Sequence, residues 1–294
     1  MHDLPLKLNR MEIEEVGYNP TKLALAIHKQ LPANIGIIDA EAIARALDIL
    51  EVRYQPLTSF EGALLTQRER TDGVILVNSQ ASPARRRFTV AHELLHFLND
   101  MHVQTNSGFK CRHADISLRN LRTNPGMTRH LRQEAQANRF AVELLAPKYK
   151  FNPFLNAVAD LQAVVQLSRS LGMSKEATAR RFVEVFPDAI AVLFHKNDRL
   201  RYFTKHDDIP NFKISKGHQM PMLPQITASS LLTEIEPTDP SEWFWKLDGI
   251  QMTAQTLYQQ DGYGMTLLNV SGLSDEKEQT PFEDTFERYN RWNS

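Results

Sequence analysis

At 294 residues, 42% apolar and 23% charged, the chain is long enough for two or three globular units. A net charge of −1 argues against a protein that coats nucleic acid through bulk charge, and the one cysteine, Cys111, excludes an internal disulfide framework and fits a reducing compartment. No apolar run approaches the ~18 residues of a membrane span, and Met1-His2-Asp3-Leu4-Pro5 lacks a signal-peptide core, so a cytoplasmic location without membrane contact is expected.

In chain order, the weakly patterned residues up to Tyr18 read as an irregular arm. Asn19-Pro20 opens a helix through Gln30, with Leu23, Ala26 and Ile27 at helical spacing. Asp39 caps a second helix whose inner stripe is Ile43, Leu47 and Leu50. From Glu51 the texture changes to three short strands, Glu51 to Gln55, Gly62 to Gln67 and Gly73 to Asn78, separated by Pro56 and by Arg68 to Asp72. The last, with its Val74-Ile75-Leu76-Val77 run, is expected to form a sheet edge along which an extended substrate could pair.

Ser82-Pro83 supplies an N-cap hydroxyl and a first-turn proline for the next helix, which is apolar almost all round and contains His92-Glu93-Leu94-Leu95-His96. Residues i and i+4 share a helix face, so His92 and His96 can address one Zn²⁺. Glu93 then stands beside the metal, where a carboxylate can move a proton from an attacking water to a leaving amine, the chemistry of amide hydrolysis. A zinc hydrolase needs a third protein ligand, and two candidates compete. His102 completes His-Glu-x-x-His-x-x-Asn-x-x-His, which differs from the metzincin pattern in having Asn99 for glycine; Asn tolerates the left-handed turn that glycine would make there. Glu134 lies on a strong helix ended by Pro147, on a stripe with Ala137, Asn138 and Ala141 whose small side chains allow close approach to the histidine helix.

The combination of Arg87-Phe88-Thr89-Val90-Ala91-His92-Glu93-Leu94-Leu95-His96 with Glu134-Ala135-Gln136-Ala137-Asn138-Arg139-Phe140-Ala141 and Leu144-Leu145-Ala146-Pro147 resembles the ImmA/IrrE family of zinc metallopeptidases. The resemblance extends over roughly residues 20 to 150 and implies that His92, His96 and Glu134 bind Zn²⁺, or Mn²⁺ in vitro, with Glu93 as general base. The chain departs from the family in its long connection, residues 97 to 133.

From Thr105 to Lys150 nine Lys or Arg face three acids, which reads first as a solvated surface and second as a substrate or nucleic-acid patch. Cys111, His113, His102 and His130 match no known ligand spacing for a second metal. Tyr149, His102 and His130 are the candidate hydrogen-bond donors to a developing oxyanion. Ala159 to Leu171, Gly172-Met173-Ser174 and Lys175 to Val185 read as a helix-turn-helix. Its second helix balances Lys175, Arg180 and Arg181 against Glu176 and Glu184, so packing or partner docking is favoured over DNA binding. Beyond Asp188 the segments Ala189 to His195, Leu200 to Thr204, Ile226 to Glu236, Trp243 to Lys246 and Gly264 to Val270 predict a small α/β domain with Trp243 and Trp245 as core anchors. The acidic tail after Ser271 reads as exposed or disordered.

The expected fold is α+β: a zincin-like metallopeptidase domain over residues 1–152, with a small sheet packed on helices, a helix-turn-helix-like connector over 153–187, and a C-terminal α/β sensor-like or docking domain over 188–294. The resemblance implies a site-specific protease that cuts a helix-turn-helix transcriptional repressor in a stress or mobile-element response, with weak direct DNA binding at most. A housekeeping metalloprotease, a DNA-binding regulator on a zincin scaffold and a toxin-antitoxin component are the alternatives.

Overall fold

The computed structural model of the chain describes residues 6–32, 35–103, 109–111, 126–221, 223, 231–245 and 249–273. Its contacts divide it into two units, Met1–Pro187 and Asp188–Ser294.

The first unit opens with α1 (Arg10–Glu14), where an irregular arm was expected; the Asn9 side chain caps Glu12 N–H, and the fully buried Ile13 anchors the turn. Helix α2 (Pro20–Gln30) starts at the Asn19 cap with Pro20 in its first turn, and α3 (Ala40–Ala46) starts at Asp39, whose carboxylate accepts from Glu41 and Ala42 N–H. Leu50 does not join the inner stripe of α3. Asp48 adopts the left-handed conformation (φ 70°), the chain turns into a strand there, and Leu50 is 65% exposed.

Four strands follow, β1 (Ile49–Gln55), β2 (Gly62–Thr66), β3 (Gly73–Asn78) and, after the helix carrying the histidines, β4 (Phe109–Cys111), in the spatial order β1-β3-β2-β4. β1 runs parallel to β3, while β2 is antiparallel to both β3 and β4. The expectation of a substrate edge at Gly73 to Asn78 is therefore overturned. β3 is an internal strand paired on both sides, which is where a continuous Val-Ile-Leu-Val run belongs.

Helix α4 (Pro83–Leu98) lies across this sheet, capped by Ser82 Oγ accepting from Arg85 N–H. Every residue from Phe88 to Leu98 is buried, against the sheet, α3 and helix α5 (Arg129–Leu145), which Thr128 caps. Leu94, Leu95, Phe97, Phe140 and Leu144 are fully or almost fully buried in the one core, each worth roughly 2 kcal/mol of transfer free energy. Asn99 ends α4 in an extended conformation (φ −106°), not the left-handed one that a glycine-like role would need. The Arg70 guanidinium donates to the Asn99 and His102 carbonyls and holds the turn that follows.

Helices α6 (Leu161–Leu171) and α7 (Lys175–Val185) flank Gly172, whose φ of 60° only glycine adopts freely, and Ser174 Oγ caps α7. They pack within the first unit. Arg87 of α4 donates to the Leu171 and Gly172 carbonyls, and Arg181 of α7, almost fully buried, bonds the Ala146 carbonyl at 3.1 Å and Glu143 at 2.6 Å.

The second unit is an antiparallel sheet of β5 (Ile190–Lys196), β6 (Arg199–Lys205), β7 (Glu236–Pro237), β8 (Gln251–Tyr258) and β9 (Tyr263–Ser271), ordered β6-β5-β9-β8-β7. Trp243 stands on the short helix α8 (Pro240–Trp243), not on a strand. Its ring fills the core while its Nε1–H donates to Thr238 Oγ1 at 3.0 Å. Trp245, expected as a second anchor, is 80% exposed because the chain leaves α8 at Phe244, which takes the buried place. The strand at Gln251 to Tyr258 was not anticipated, and residues 226–230 and the acidic tail 274–294 lie outside the described residues. Among the described residues no helix is long and apolar enough to cross a membrane.

Candidate metal centre

Two helices and one strand of the first unit converge on a buried point. His92 and His96, one turn apart on α4 and fully buried, bring their Nε2 atoms to 3.2 Å. From α5, Glu134 places Oε2 3.1 Å from His92 Nε2 and Oε1 3.5 Å from His96 Nε2. From β4, Cys111 Sγ lies 3.7 Å from His96 Nε2. One ligand atom from each of the four lies within 4.8 Å of all the others. An ion ~2.0–2.1 Å from nitrogen and oxygen donors at the centre of a tetrahedron separates them by about 3.3 Å, so the 3.1–3.5 Å spacings among His92, His96 and Glu134 fit a single ion; imidazole, carboxylate and thiolate are donors that zinc accepts.

The far sides of both rings are held. His92 Nδ1 lies 3.0 Å from Asn138 Oδ1. His96 Nδ1 lies 2.9 Å from His102 Nδ1, and His102 Nε2 lies 2.8 Å from Gln136 Oε1. One proton assignment satisfies the whole chain: His96 Nδ1–H donates to His102, and His102 Nε2–H donates to Gln136. It leaves the Nε2 lone pairs of His92 and His96 facing the centre.

The charges crowd. Burial alone would raise the Glu134 carboxyl, but hydrogen bonds from His92 and His96 outweigh it and hold it well below the usual carboxylate range. Burial alone would lower His92, but the Glu134 partner raises it, whereas burial keeps His96 below its ordinary value. Burial and the adjacent His96 push His102 down to about 3, which fits the neutral ring that the network requires. Burial pushes Glu93 up to about 8 and, with Glu93 and Glu134 nearby, pushes the Cys111 thiol up as well. A divalent cation offsets this cost by supplying the charge that the buried carboxylates lack.

Glu93 is fully buried, and among the described residues neither carboxylate oxygen has a hydrogen-bond partner of ordinary geometry, although the Cys111 thiol lies close enough to interact with it. Its other neighbour is the β2 backbone: a Cβ on Gly62 would stand 2.7 Å from Glu93 Oε1 and 2.3 Å from Thr89 Cγ2. Glycine lets the strand approach the helix at this point.

His92, His96 and Glu134 are thus brought together with Glu93 beside them. His102 is not in the group of four; it lies behind His96 and orients it. Of the other oxyanion candidates, His130 Nδ1 is 3.6 Å from Glu134 Oε1 on the exposed side, and Tyr149 packs edge-on against His28 at 5.7 Å. Of the four residues weighed for a second metal, Cys111 joins the first group, His102 backs His96, and His113 lies outside the described residues. Cys111 is the donor that sequence reasoning missed, because a residue 15 positions beyond His96 carries no spacing signal. Asn138 was legible in part, as the residue one turn after Glu134 on the same face.

The family model for the IrrE N-terminal-like domain of the M78 peptidases matches residues 48–183, a span that contains α4, α5 and the whole donor group. The radiation response metalloprotease IrrE of Deinococcus deserti is 35% identical over 85 residues, 27% of this chain and 29% of that protein, so less than a third of the relative is spanned. A solved structure titled Mycobacterium tuberculosis transcriptional regulator superposes over 92% of this chain and 77% of that one, with a TM-score of 0.44 at 12% identity, a likeness too slight to support an argument. Residues 48–183, which fold around the buried histidine helix, are thus similar to the IrrE N-terminal-like domain of the M78 peptidases.

Proposed function

We propose that the protein is a zinc-dependent, site-specific endopeptidase that cleaves a helix-turn-helix transcriptional repressor and thereby derepresses a stress or mobile-element response. The observation that carries the reading is the buried convergence of His92, His96 and Glu134 beside a carboxylate, Glu93, whose oxygens find no hydrogen-bond partner of ordinary geometry among the described residues. The name of the Deinococcus relative, a radiation response metalloprotease, supports the stress context.

His92, His96 and Glu134 would hold the ion, which when bound supplies Lewis acidity for the scissile carbonyl. Asn138 and His102 fix the two imidazoles so that Nε2 of each faces inward. Glu93 takes the proton from the attacking water at a carboxylate oxygen and delivers it to the leaving amine; burial raises its proton affinity towards neutrality, which suits a group that must both accept and donate. Direct DNA binding by α7 is a weaker reading, because Arg181 is spent on Glu143 and the Ala146 carbonyl and Arg180 pairs with Glu176 at 3.3 Å.

The test is incubation of the purified full chain with Zn²⁺ or Mn²⁺ against candidate repressors and against casein, with Glu93→Gln alongside. Cleavage of one repressor at one bond, intact casein, and an inactive but metal-loaded Glu93→Gln protein are expected. Broad digestion of casein would replace this reading by a housekeeping protease, and full activity in Glu93→Gln would end the peptidase reading.

A further inference from the structure

Resting on the metal reading above, we infer that Cys111 is a fourth protein ligand of the ion, and that β4, which carries it, closes the site as a built-in plug.

Geometry carries the inference. In a tetrahedral site with a metal–sulfur distance of ~2.3 Å and a metal–nitrogen distance of ~2.0–2.1 Å, sulfur and nitrogen are separated by about 3.6 Å. Cys111 Sγ stands 3.7 Å from His96 Nε2, and it belongs to the same compact group as His92 and Glu134. The thiol is 1% exposed, and the only cysteine of the chain could have been spent anywhere. A second observation points the same way: among the described residues, neither oxygen of the fully buried Glu93 carboxylate beside it has a hydrogen-bond partner of ordinary geometry. On binding, the S–H proton passes to solvent and the sulfur lone pair goes to the metal, as happens when a thiol meets Zn²⁺.

The strand gives the ligand its consequence. β4 pairs antiparallel with β2 in the register Gly62↔Cys111 and Leu64↔Phe109, and Gly62 is the residue that rests on Glu93. The Phe109 ring stacks on the His96 ring at 4.5 Å. Three residues of the connection between the two motifs thus occupy the free side of β2, the backbone row that an extended peptide would need for pairing beside the metal. Zinc sites with four protein ligands are closed, whereas hydrolytic sites keep a position open. Substrate access therefore requires β4 to leave with its thiolate.

The experiment reads the metal shell and needs no substrate. Full-length protein loaded with Co²⁺ should show a near-ultraviolet thiolate-to-cobalt charge-transfer band together with the visible bands of a tetrahedral ion. Cys111→Ser and Cys111→Ala should each lose the first and keep the second, with at least tenfold weaker binding against a competing chelator. Added azide should shift the visible bands of Cys111→Ala, whose fourth position is open, and leave the wild type unchanged. X-ray absorption of the zinc protein should find one sulfur at ~2.3 Å. Cobalt bound without a thiolate band, or azide binding equally to wild type and variant, overturns the inference and leaves the three-ligand site standing. Failure to bind cobalt at all overturns both.

Discussion

Gly62→Ala isolates the contact on which the placement of Glu93 depends. The added Cβ would lie 2.3 Å from Thr89 Cγ2 and 2.7 Å from Glu93 Oε1. The carboxylate is the end of a flexible chain and can swing aside, but Thr89 is β-branched and pinned by its Oγ1 bond to the Arg85 carbonyl at 3.0 Å. Relief needs either a shift of β2 away from α4 or a threonine rotamer that gives up that bond. Overpacking of this kind costs about 1–3 kcal/mol. Against it stands the gain of about 0.4–1 kcal/mol from restricting the unfolded chain at a glycine whose backbone conformation alanine can share. The net expectation is a loss of about 1–2 kcal/mol, read from urea unfolding of the metal-free protein at unchanged slope. Adding Thr89→Ser, which deletes Cγ2 and keeps the hydroxyl, should recover most of it. An alanine variant more stable than the wild type would show that only the chain-entropy effect operates and that β2 does not press on Glu93.

Three further outcomes are expected. Glu134→Ala should abolish stoichiometric metal binding, whereas His102→Ala and Asn138→Ala, which only free an imidazole Nδ1, should keep the stoichiometry and weaken affinity about 10–100-fold; metal analysis after dialysis separates the two classes, and equal losses would refute the assignment. Arg181→Met removes its pairs with Glu143 and Glu184, leaves the largely buried Glu143 with Arg139 at 3.4 Å among the described cations, and should destabilise by about 2–3 kcal/mol, with Glu143→Leu in the same chain restoring much of it; a neutral single variant would mean that the pair does not hold α7 to α5. Burial holds His28 below its ordinary 6.5, so protons bind the unfolded chain first: its contribution to stability is complete above 6.5 and is lost as pH falls through the folded value. His28→Gln should therefore flatten the acid side of the stability curve, and identical pH slopes in the two proteins would show that His28 is not the group responsible.

Much of the first unit is local physics and could be read from the chain. Asn19-Pro20, Asp39, Ser82-Pro83 and Ser174 start helices because their side-chain oxygens satisfy N–H groups within three residues, and the turn at Gly172 needs its left-handed φ for the same short-range reason. The spacing of His92 and His96 follows from one turn of helix and required no knowledge of anything else. The C-terminal unit was less legible, because the helix at Pro240–Trp243 and the exposure of Trp245 depend on which aromatic ring its sheet has room for.

What only the tertiary structure decided are the contacts between segments far apart in the chain. Sequence left Glu134 and His102 as rivals; the packing of α4 on α5 sets the carboxylate on the inward Nε2 atoms and the imidazole behind His96. Alternation of side chains predicted β3 as a strand but not its neighbours, and pairing with β1 and β2 moved the open edge elsewhere. Cys111 reaches the buried donor group because β4 adds to β2, a pairing between residues 62 and 111 that no periodicity encodes. Backbone pairing is indifferent to side-chain identity, so which strand lies beside which is settled by the whole core, not by the residues of either strand.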